Sequence, residues 1–319
     1  MKLSLRSLGA LLASGGLVVG ATGCKAEVDL EGSAETPVRY EDEDPRNVQE
    51  PWVSGQNISI DGLCGNIDVV EGSSADTLSV DVLRYIYWQQ DEEAEARQMI
   101  ADDLDYGIDN VADELFVYTE RPSGSSNGLG ADLTVRLPTG FDGSLVVRNR
   151  SDCPLNPGDI DVQYTASAVA VNVETDDLGD CRVRGTTTVT RTVANCDGSV
   201  DIRGVADAVD VSSTFLETGE SVDVRIAAIS DGFTAGGTID AEDGDVSLTL
   251  PASANFVVQA RTLQGTVSFG TPPTTCEPVA WADDTQRSGT LSCGAAEPIY
   301  AIEACQDGVG DCNVTVAYQ

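Results

Sequence analysis

Apolar and polar residues alternate along most of the chain beyond Trp52. This period of two is typical of β-strands that bury one face and expose the other. The alternation recurs in a short phrase: a glycine, any residue, an apolar residue, a polar residue and an apolar residue. Because glycine readily forms turns, each copy predicts a turn that opens a strand. Copies begin at Gly65, Gly143 (apolar throughout), Gly158, Gly179, Gly198, Gly237, Gly244 and Gly265, and at Gly219 with one residue inserted.

The spacing of these glycines predicts the fold class. Positions 143, 158, 179, 198, 219, 244 and 265 are separated by 15, 21, 19, 21, 25 and 21 residues, enough for two or three short strands with their turns. Second strands, such as Val169–Val173 and Ala208–Val211, lie between the glycines. Repeats of this kind stack on their neighbours to form a solenoid. We therefore predict an all-β, single-stranded parallel β-solenoid over residues 52–271. An antiparallel β-sandwich has the same alternation and is the alternative.

One segment departs from the strand pattern. Residues Asp91–Leu104 are helix formers with acids in the first turn, where the helix dipole favours them. Its apolar stripe would consist of Ala96, Met99, Ile100 and Leu104. We predict one short helix near the N-terminal end of the solenoid, with a partner-binding helix as the alternative. The Gly/Ser-rich stretch Ser123–Gly130 predicts a flexible loop.

The N-terminus has the features of a lipoprotein signal peptide over residues 1–23. Lys2 and Arg6 precede an apolar run, Leu8–Val19, which is too short to span a membrane. Ala21–Cys24 then matches a lipobox, so Cys24 is predicted to be acylated, with palmitate among its acyl chains, and to become the new N-terminus. An ordinary secretory signal with an accidental cysteine is the alternative.

Residues 24–51 are polar and acidic, and they predict a disordered tether between the anchor and the folded domain. Lys25 follows the acylated cysteine where an Asp would favour retention in the inner membrane. We therefore expect an outer-membrane, lipid-anchored protein on the cell-surface or the periplasmic face.

Eight cysteines remain once Cys24 is set apart, and an even number in an exported chain predicts disulfides. Closeness in sequence is our basis for pairing them, although other connectivities stay open. The expected pairs are Cys305–Cys312, Cys276–Cys293 and Cys181–Cys196, leaving Cys64–Cys153. Four of these cysteines follow Pro272, where the repeat phrase ends, so we predict a disulfide-stapled cap over residues 272–319.

Charge and composition exclude several classes of function. The chain has no His, and its net charge is −35. Removal of Lys2 and Arg6 with the signal leaves 53 acids against 16 bases, or −37. So acidic a chain repels nucleic acid phosphates, and we expect no nucleic acid partner. Without His, neither a Ser-His-Asp triad nor a His-ligated metal site can form. We predict no catalytic residues and no cofactor.

Two uses of the many carboxylates stay open. A polysaccharide hydrolase or lyase on a parallel β-helix needs only two or three acids in a cleft, but no pair stands out from the sequence. One turn is crowded with oxygen ligands of the kind that calcium prefers. The candidates are Asp240, Glu242, Asp243 and Asp245, and a solvated acidic turn is the interpretation that we favour.

The repeat phrase resembles that of a family of bacterial adhesin-like β-solenoid domains whose function is unknown. The likeness also includes Val135–Pro138 and Leu248–Pro251, with the strands that follow them, and it extends over Ile58–Phe269. The cysteines and the long tail after Pro272 depart from the family pattern. The resemblance implies an exported or membrane-anchored module without catalytic residues. We therefore expect a non-catalytic surface adhesion or envelope scaffold protein, held to the membrane by its lipid anchor, whose partner is a glycan polymer or an envelope protein.

Overall fold

The computed structural model describes most of the chain beyond the tether. The described residues are 37–122, 128–150, 158–164, 170–175, 179–185, 191–214, 221–229, 234–294, 297–305 and 312–319. The predicted signal peptide, residues 24–36 of the predicted tether (Cys24 included), Cys153 and residues 123–127 of the predicted Gly/Ser loop lie outside them.

Within these ranges the chain forms strands throughout and one helix. The first third contains β1 (Val38–Glu41), β2 (Arg46–Pro51), β3 (Asn57–Leu63), β4 (Ile67–Glu71), β5 (Thr77–Trp88), α1 (Glu93–Asp102), β6 (Asp105–Val111), β7 (Glu114–Glu120) and β8 (Leu129–Leu137). The middle contains β9 (Leu145–Arg150), β10 (Ile160–Tyr164), β11 (Val171–Thr175), β12 (Cys181–Gly185), β13 (Arg191–Cys196), β14 (Val200–Ala206), β15 (Ala208–Ser213), β16 (Ser221–Ala228), β17 (Gly237–Ala241) and β18 (Asp245–Leu250). The last part contains β19 (Phe256–Thr262), β20 (Val267–Phe269), β21 (Ala280–Trp281), β22 (Ser288–Cys293), β23 (Ile299–Ala304) and β24 (Val314–Tyr318).

The strands form two sheets, and this confirms the all-β class. Sheet A has the order β1-β5-β8-β4-β10-β12-β14-β16-β18-β24-β20, and β2 also pairs with β5. Sheet B has the order β21-β22-β19-β23-β17-β15-β13-β11-β9-β3-β7-β6. Neighbours from β4 to β20 in sheet A, and from β19 to β7 in sheet B, pair in parallel.

The middle of the chain alternates between the two sheets. We call a strand of sheet B together with the next strand of sheet A a rung. The rungs β9/β10, β11/β12, β13/β14, β15/β16 and β17/β18 stack in chain order. Inward-facing residues of both sheets join in one apolar cluster, so each rung buries its face against its neighbours and against the opposite sheet.

The rung order changes at both ends of the stack. The rung β7/β8 lies outside β3/β4, although it follows β3/β4 in the chain. At the other end, the final rung β23/β24 lies inside β19/β20. The predicted C-terminal cap over residues 272–319 is therefore wrong in part. Its last two strands insert between earlier strands, and only β21 and β22 lie beyond the stack, where β22 covers β19 antiparallel. Strand β23 lies between β17 and β19, and β24 lies between β18 and β20, so each inserted strand has a parallel neighbour on both sides.

The predicted tether over residues 24–51 is also wrong in part. Strands β1 and β2 both pair antiparallel with the long strand β5, so residues 38–41 and 46–51 belong to sheet A. Ion pairs also connect this segment to the neighbouring strands β5 and β8. Arg84 Nε lies 2.7 Å from Asp42 Oδ2, and Arg39 Nη2 lies 2.5 Å from Asp132 Oδ2.

Helix α1 lies within the segment predicted to be helical and packs against β5 and β1, at the edge of sheet A. Ala96 and Ile100 are fully buried in a small cluster with Ile86 and Leu129, and Met99 packs against that cluster. Leu104, the fourth residue of the predicted stripe, is buried in the main core instead. No helix among the described residues is both long and apolar enough to cross a membrane.

Three disulfides join the predicted neighbours: Cys181–Cys196, Cys276–Cys293 and Cys305–Cys312. Cys64 is also disulfide-bonded, and its expected partner Cys153 lies outside the described residues. Cys305 and Cys312 span the connection between β23 and β24, so the inserted rung is closed by its own disulfide.

Candidate binding face

The second residue of the glycine phrase links one rung to the next. The side-chain oxygen of Asn66 accepts a hydrogen bond from the Asp159 amide (3.0 Å), and Asp159 in turn accepts from the Asp180 amide (3.1 Å). Asp180 Oδ1 then accepts from the Ser199 amide at 2.9 Å. Asp245, Asn313 and Thr266 repeat the arrangement at the other end of the stack. Asp, Asn, Ser and Thr at this position therefore hold the stack together and are not available as a cluster of ligands.

A second set of polar residues is buried beneath the same turns, at the ends of the sheet B strands. Asn149 donates to the carbonyl of Gly65 (2.7 Å), Thr175 to Gly179 (3.0 Å) and Ser213 to Gly198 (3.2 Å). Thr262 donates to the carbonyl of Cys312 at 2.9 Å. These side chains donate to backbone carbonyls of the turns, and a buried carbonyl requires such hydrogen-bond partners.

The outward face of sheet A carries two rows of charged residues that run across the strands. We call Arg184, Arg203 and Arg225 the arginine row, because they occupy equivalent register positions on β12, β14 and β16. We call Asp201 and Asp223 the aspartate row, which lies two residues earlier on β14 and β16. On β12 the position equivalent to the aspartate row is occupied by Arg182. On β18, Ser247 is in register with the aspartate row and Thr249 with the arginine row.

Asp201 neutralises two members of the arginine row. Arg203 Nε lies 2.7 Å from Asp201 Oδ1, and Arg184 Nη2 lies 3.5 Å from Asp201 Oδ2. Arg203 remains 55% exposed and Arg184 43% exposed. Within the part of the chain that the structure describes, the exposed Arg225 makes no ion pair or side-chain hydrogen bond. The arginine row therefore ends in a cation that is not engaged by the protein.

A shallow depression of about 230 Å³ lies over these rows, lined by Asp201, Arg203, Asp223, Arg225, Ser247 and Thr249. Like charges directly opposite each other on neighbouring strands are destabilising. Three arginines in register therefore concentrate positive charge that Asp201 offsets only in part, and in a chain of net charge −35 they are conspicuous. We take this depression and its two rows as the candidate binding face.

The outward face of sheet B has a different arrangement, in which cations pair across strands with acids. Arg148 Nε lies 3.0 Å from Glu174 Oε2, and Arg191 Nη2 lies 2.8 Å from Asp210 Oδ2. Nothing comparable to the arginine row occurs among the described residues of this face. Arg148 and Arg191 are each matched by an acid, so they are suitable control positions for the arginine row.

The four calcium candidates do not come together. Asp240 lies on the outward face of sheet B opposite Glu303, and its pKa is raised by burial and by the Glu303 carboxylate. Asp245 instead accepts hydrogen bonds from Asn313 in the turn linkage described above. Across the described ranges, no group of three or more Cys, His, Asp or Glu side chains is close enough to hold a metal ion.

The arginine row is visible in the sequence one position beyond the end of the five-residue glycine phrase. Arg184 and Arg203 each lie five residues after a phrase glycine, Gly179 and Gly198. Arg225 lies six residues after Gly219, in the copy with one inserted residue. Extension of the phrase by one more outward position would have aligned the three cations.

Comparisons with known proteins find structural likenesses only. No family model matches the chain, and no curated protein matches it. Among solved structures, it is similar to a candidate adhesin from Bacteroides fragilis at 13% identity and a TM-score of 0.37, covering 87% of this chain and 98% of that one. It is also similar to a candidate cell adhesion protein from Clostridium sporogenes at 8% identity and a TM-score of 0.30, covering 86% and 100%.

A candidate adhesin from Parabacteroides merdae has 9% identity and a TM-score of 0.29, covering 86% and 96%. These TM-scores and identities are too low to assign a role to this chain.

Proposed function

We propose that the protein is an exported, lipid-anchored and non-catalytic β-solenoid that presents the outward face of sheet A to an extracellular or envelope polymer. Its role in this proposal is surface adhesion or envelope scaffolding. The exposed arginine row is the observation that carries the binding role, because it places three cations in register on an outward face and one of them, Arg225, makes no ion pair among the described residues.

The alternation of the chain between two parallel sheets supports the solenoid. Each rung from β9/β10 to β17/β18 advances the stack by one strand in both sheets, as successive turns of a solenoid do. The turn linkage through Asn66, Asp159 and Asp180 repeats at the same edge from rung to rung. Such a stack gives every outward position a regular spacing, which suits recognition of a repeating ligand.

The sequence around Cys24 supports the lipid anchor, and the disulfides support export. Disulfides persist in oxidising compartments such as the periplasm and the cell exterior. Strand β1 begins at Val38, so residues 25–37 would separate the anchor from the folded domain. In this arrangement the acyl chains hold the protein at the outer membrane, while its net negative charge disfavours direct contact with anionic lipid.

Two experiments on the source bacterium test this proposal. Metabolic labelling with a radioactive or clickable palmitate should mark the wild-type protein and should not mark the Cys24→Ser variant. Treatment of intact cells with an external protease should remove the protein while a periplasmic control stays intact. Absence of lipid label would contradict the anchor, and full protection from protease would replace surface adhesion by an envelope scaffold role.

One specific pair of acids favours the enzymatic alternative. Asp68 and Asp161 lie opposite each other on the outward face of β4 and β10, and the pKa of Asp68 is raised by burial and by Asp161. A raised pKa beside a second carboxylate is a feature of glycosidase acids. Hydrolysis or lysis of a polysaccharide that is lost in Asp68→Asn and Asp161→Asn would favour this alternative over the binding role.

A further inference from the structure

The arginine and aspartate rows identify the chemistry of the ligand that this face would bind. We propose that the candidate binding face binds an uncharged polysaccharide, whose hydroxyl groups accept hydrogen bonds from the arginine row and donate to the aspartate row. This inference rests on the proposed function, since it names the ligand class and the residues for the polymer-binding role.

The combination of both charge signs favours an uncharged ligand. A polyanion would pair with Arg203 and Arg225, but it would face Asp201 and Asp223 two residues away on the same strands. It would also meet the field of a chain whose net charge is −35. A polycation would meet the arginine row. Sugar hydroxyls are donors and acceptors at once, so they satisfy both rows without a net electrostatic cost.

The geometry of the sheet gives the two rows a regular repeat. Neighbouring strands lie about 4.8 Å apart, and residues two apart on a strand lie about 6.6 Å apart. Donors therefore recur at the strand spacing along one line, with acceptors along a parallel line. Ser247 and Thr249 extend the lines with hydroxyls, which donate and accept. A polymer laid across β14, β16 and β18 would meet a donor and an acceptor on each strand, and weak contacts would add along its length.

Arg225 is the residue in the row that is best placed to bind a ligand. Its guanidinium lines the depression, is exposed, and has no ion-pair partner among the described residues. Five N–H donors in a planar fork suit adjacent hydroxyls. Asp201, by contrast, is only 18% exposed and is held by two arginines, so Asp223 is the more accessible acceptor.

Affinity electrophoresis of the oxidised mature chain tests this inference. The uncharged probes are dextran, yeast mannan and barley β-glucan; polygalacturonate is the anionic probe and chitosan the cationic one. We expect at least one uncharged polymer to retard the wild-type protein, with retardation that is the same at about 0.15 M and about 0.5 M salt. The double variant Arg203→Ala/Arg225→Ala should bind at least about tenfold more weakly.

Matched variants control for folding and for charge. Arg148→Ala/Arg191→Ala removes two cations from the outward face of sheet B and should bind within about twofold of wild type. Arg225→Gln removes the charge of an exposed residue that contacts no acid, so it tests the site even if the double variant is poorly folded. Circular dichroism and thermal unfolding should show that each variant used is folded.

Each other outcome overturns the proposal in a distinct way. Equal retardation of wild type, Arg225→Gln and the Arg203/Arg225 variant would place the site elsewhere while polymer binding stands. Salt-sensitive retardation by polygalacturonate alone, or retardation by chitosan alone, would show that the ligand class is wrong. No retardation by any polymer would overturn the proposal. The protease and palmitate experiments would then decide independently whether a surface or envelope scaffold role survives.

Discussion

The hydroxyl of Tyr300 donates a 2.6 Å hydrogen bond to the backbone carbonyl of Asp207, 93 residues earlier in the chain. Tyr300 lies on the inserted strand β23 and pairs in register with Gly237 on β17, which pairs in turn with Val209 on β15. A Cβ at Gly237 would lie 1.9 Å from the carbonyl oxygen of Val209, so the close approach of β17 to β15 requires glycine there. The C-terminal rung is thus joined to a turn two strands away, beyond its immediate neighbour.

This hydrogen bond should contribute measurably to stability. In Tyr300→Phe the ring still fills its space but the Asp207 carbonyl loses its donor, so we expect a loss of about 1–3 kcal/mol in the free energy of unfolding. Tyr318→Phe is the matched control, because the buried Tyr318 hydroxyl has no hydrogen-bond partner among the described residues and its ring stacks on Phe256. That change should be neutral or slightly stabilising in urea titrations. Equal losses in the two variants would contradict the assignment.

The same two tyrosines predict instability at alkaline pH. Burial, and then Asp207, raise the pKa of Tyr300 above its ordinary value of 10.0, and burial raises the pKa of Tyr318 to about 12. Above about pH 10 the unfolded chain releases these protons while the folded chain holds them. Stability from this source is therefore complete below pH 10 and is lost as pH rises through the folded pKa values. The free energy of unfolding, measured from pH 8 to pH 11, should decline less steeply with pH in Tyr300→Phe/Tyr318→Phe than in the wild type. An identical slope would show that other groups are responsible.

The insertion of the last rung can be tested by cross-linking. Ser247 and Thr315 are register partners on β18 and β24, whereas Ser268 lies on the far side of β24, about 9.6 Å from Ser247 at about 4.8 Å per strand. A disulfide needs Cα atoms within about 7 Å. Ser247→Cys/Thr315→Cys should therefore form a cross-link seen by mass spectrometry, and Ser247→Cys/Ser268→Cys should not. The reverse result would mean that the rungs stack in chain order.

The middle of this fold was predictable because one local rule repeats there. Gly158 has a φ of +74°, and a Cβ at that position would lie 1.9 Å from the Gly65 carbonyl oxygen, so the turn requires glycine. The residue after it supplies the inter-rung hydrogen bond. Both requirements act within a few residues, so they leave a visible phrase in the sequence at each rung.

The ends of the stack and the binding face were not predictable from that phrase. Strands β23 and β24 begin at Ile299 and Val314 without an opening phrase glycine. Strand β23 lies between β17 and β19, and β24 lies between β18 and β20, so their neighbours do not follow sequence order. Likewise β1 and β2 form strands because both pair antiparallel with the long strand β5, which outweighs the acidic run Glu41–Asp44 beside them. The arginine row depends on register between three strands that only the assembled sheet brings together.

The turn linkage predicts a difference between two substitutions at Asp180. Asp180→Ala removes the oxygen that accepts the Ser199 amide and should cost about 1 kcal/mol of stability. Asp180→Asn keeps an oxygen there. Because burial is the main cause that raises the pKa of Asp180, loss of the charge should offset any weaker hydrogen bond. Urea unfolding at pH 7 should therefore place Asn at or above wild type and Ala below both; equal losses would rule out the linkage as the source.

A repulsive pair on the outward face of sheet B predicts a stabilising substitution. Asp240 faces Glu303 in register, and burial followed by Glu303 raises the pKa of Asp240. The charged form is thus disfavoured in the folded chain at neutral pH, so Asp240→Asn should gain roughly 0.2–1 kcal/mol at pH 7. As pH falls through the raised pKa, the wild-type chain takes up a proton and gains stability, so the advantage of the variant should shrink.

The neighbouring Asp210→Asn variant is the control of opposite sign. Asp210 pairs with Arg191 at 2.8 Å and accepts a hydrogen bond from the Thr238 amide, so loss of its charge removes a favourable interaction. Unfolding free energies of wild type and both variants at about pH 7 and about pH 4 separate the two cases. A gain in Asp240→Asn that is unchanged at the lower pH would trace to packing or solvation of the amide, and the repulsion between Asp240 and Glu303 would then be too well screened to matter.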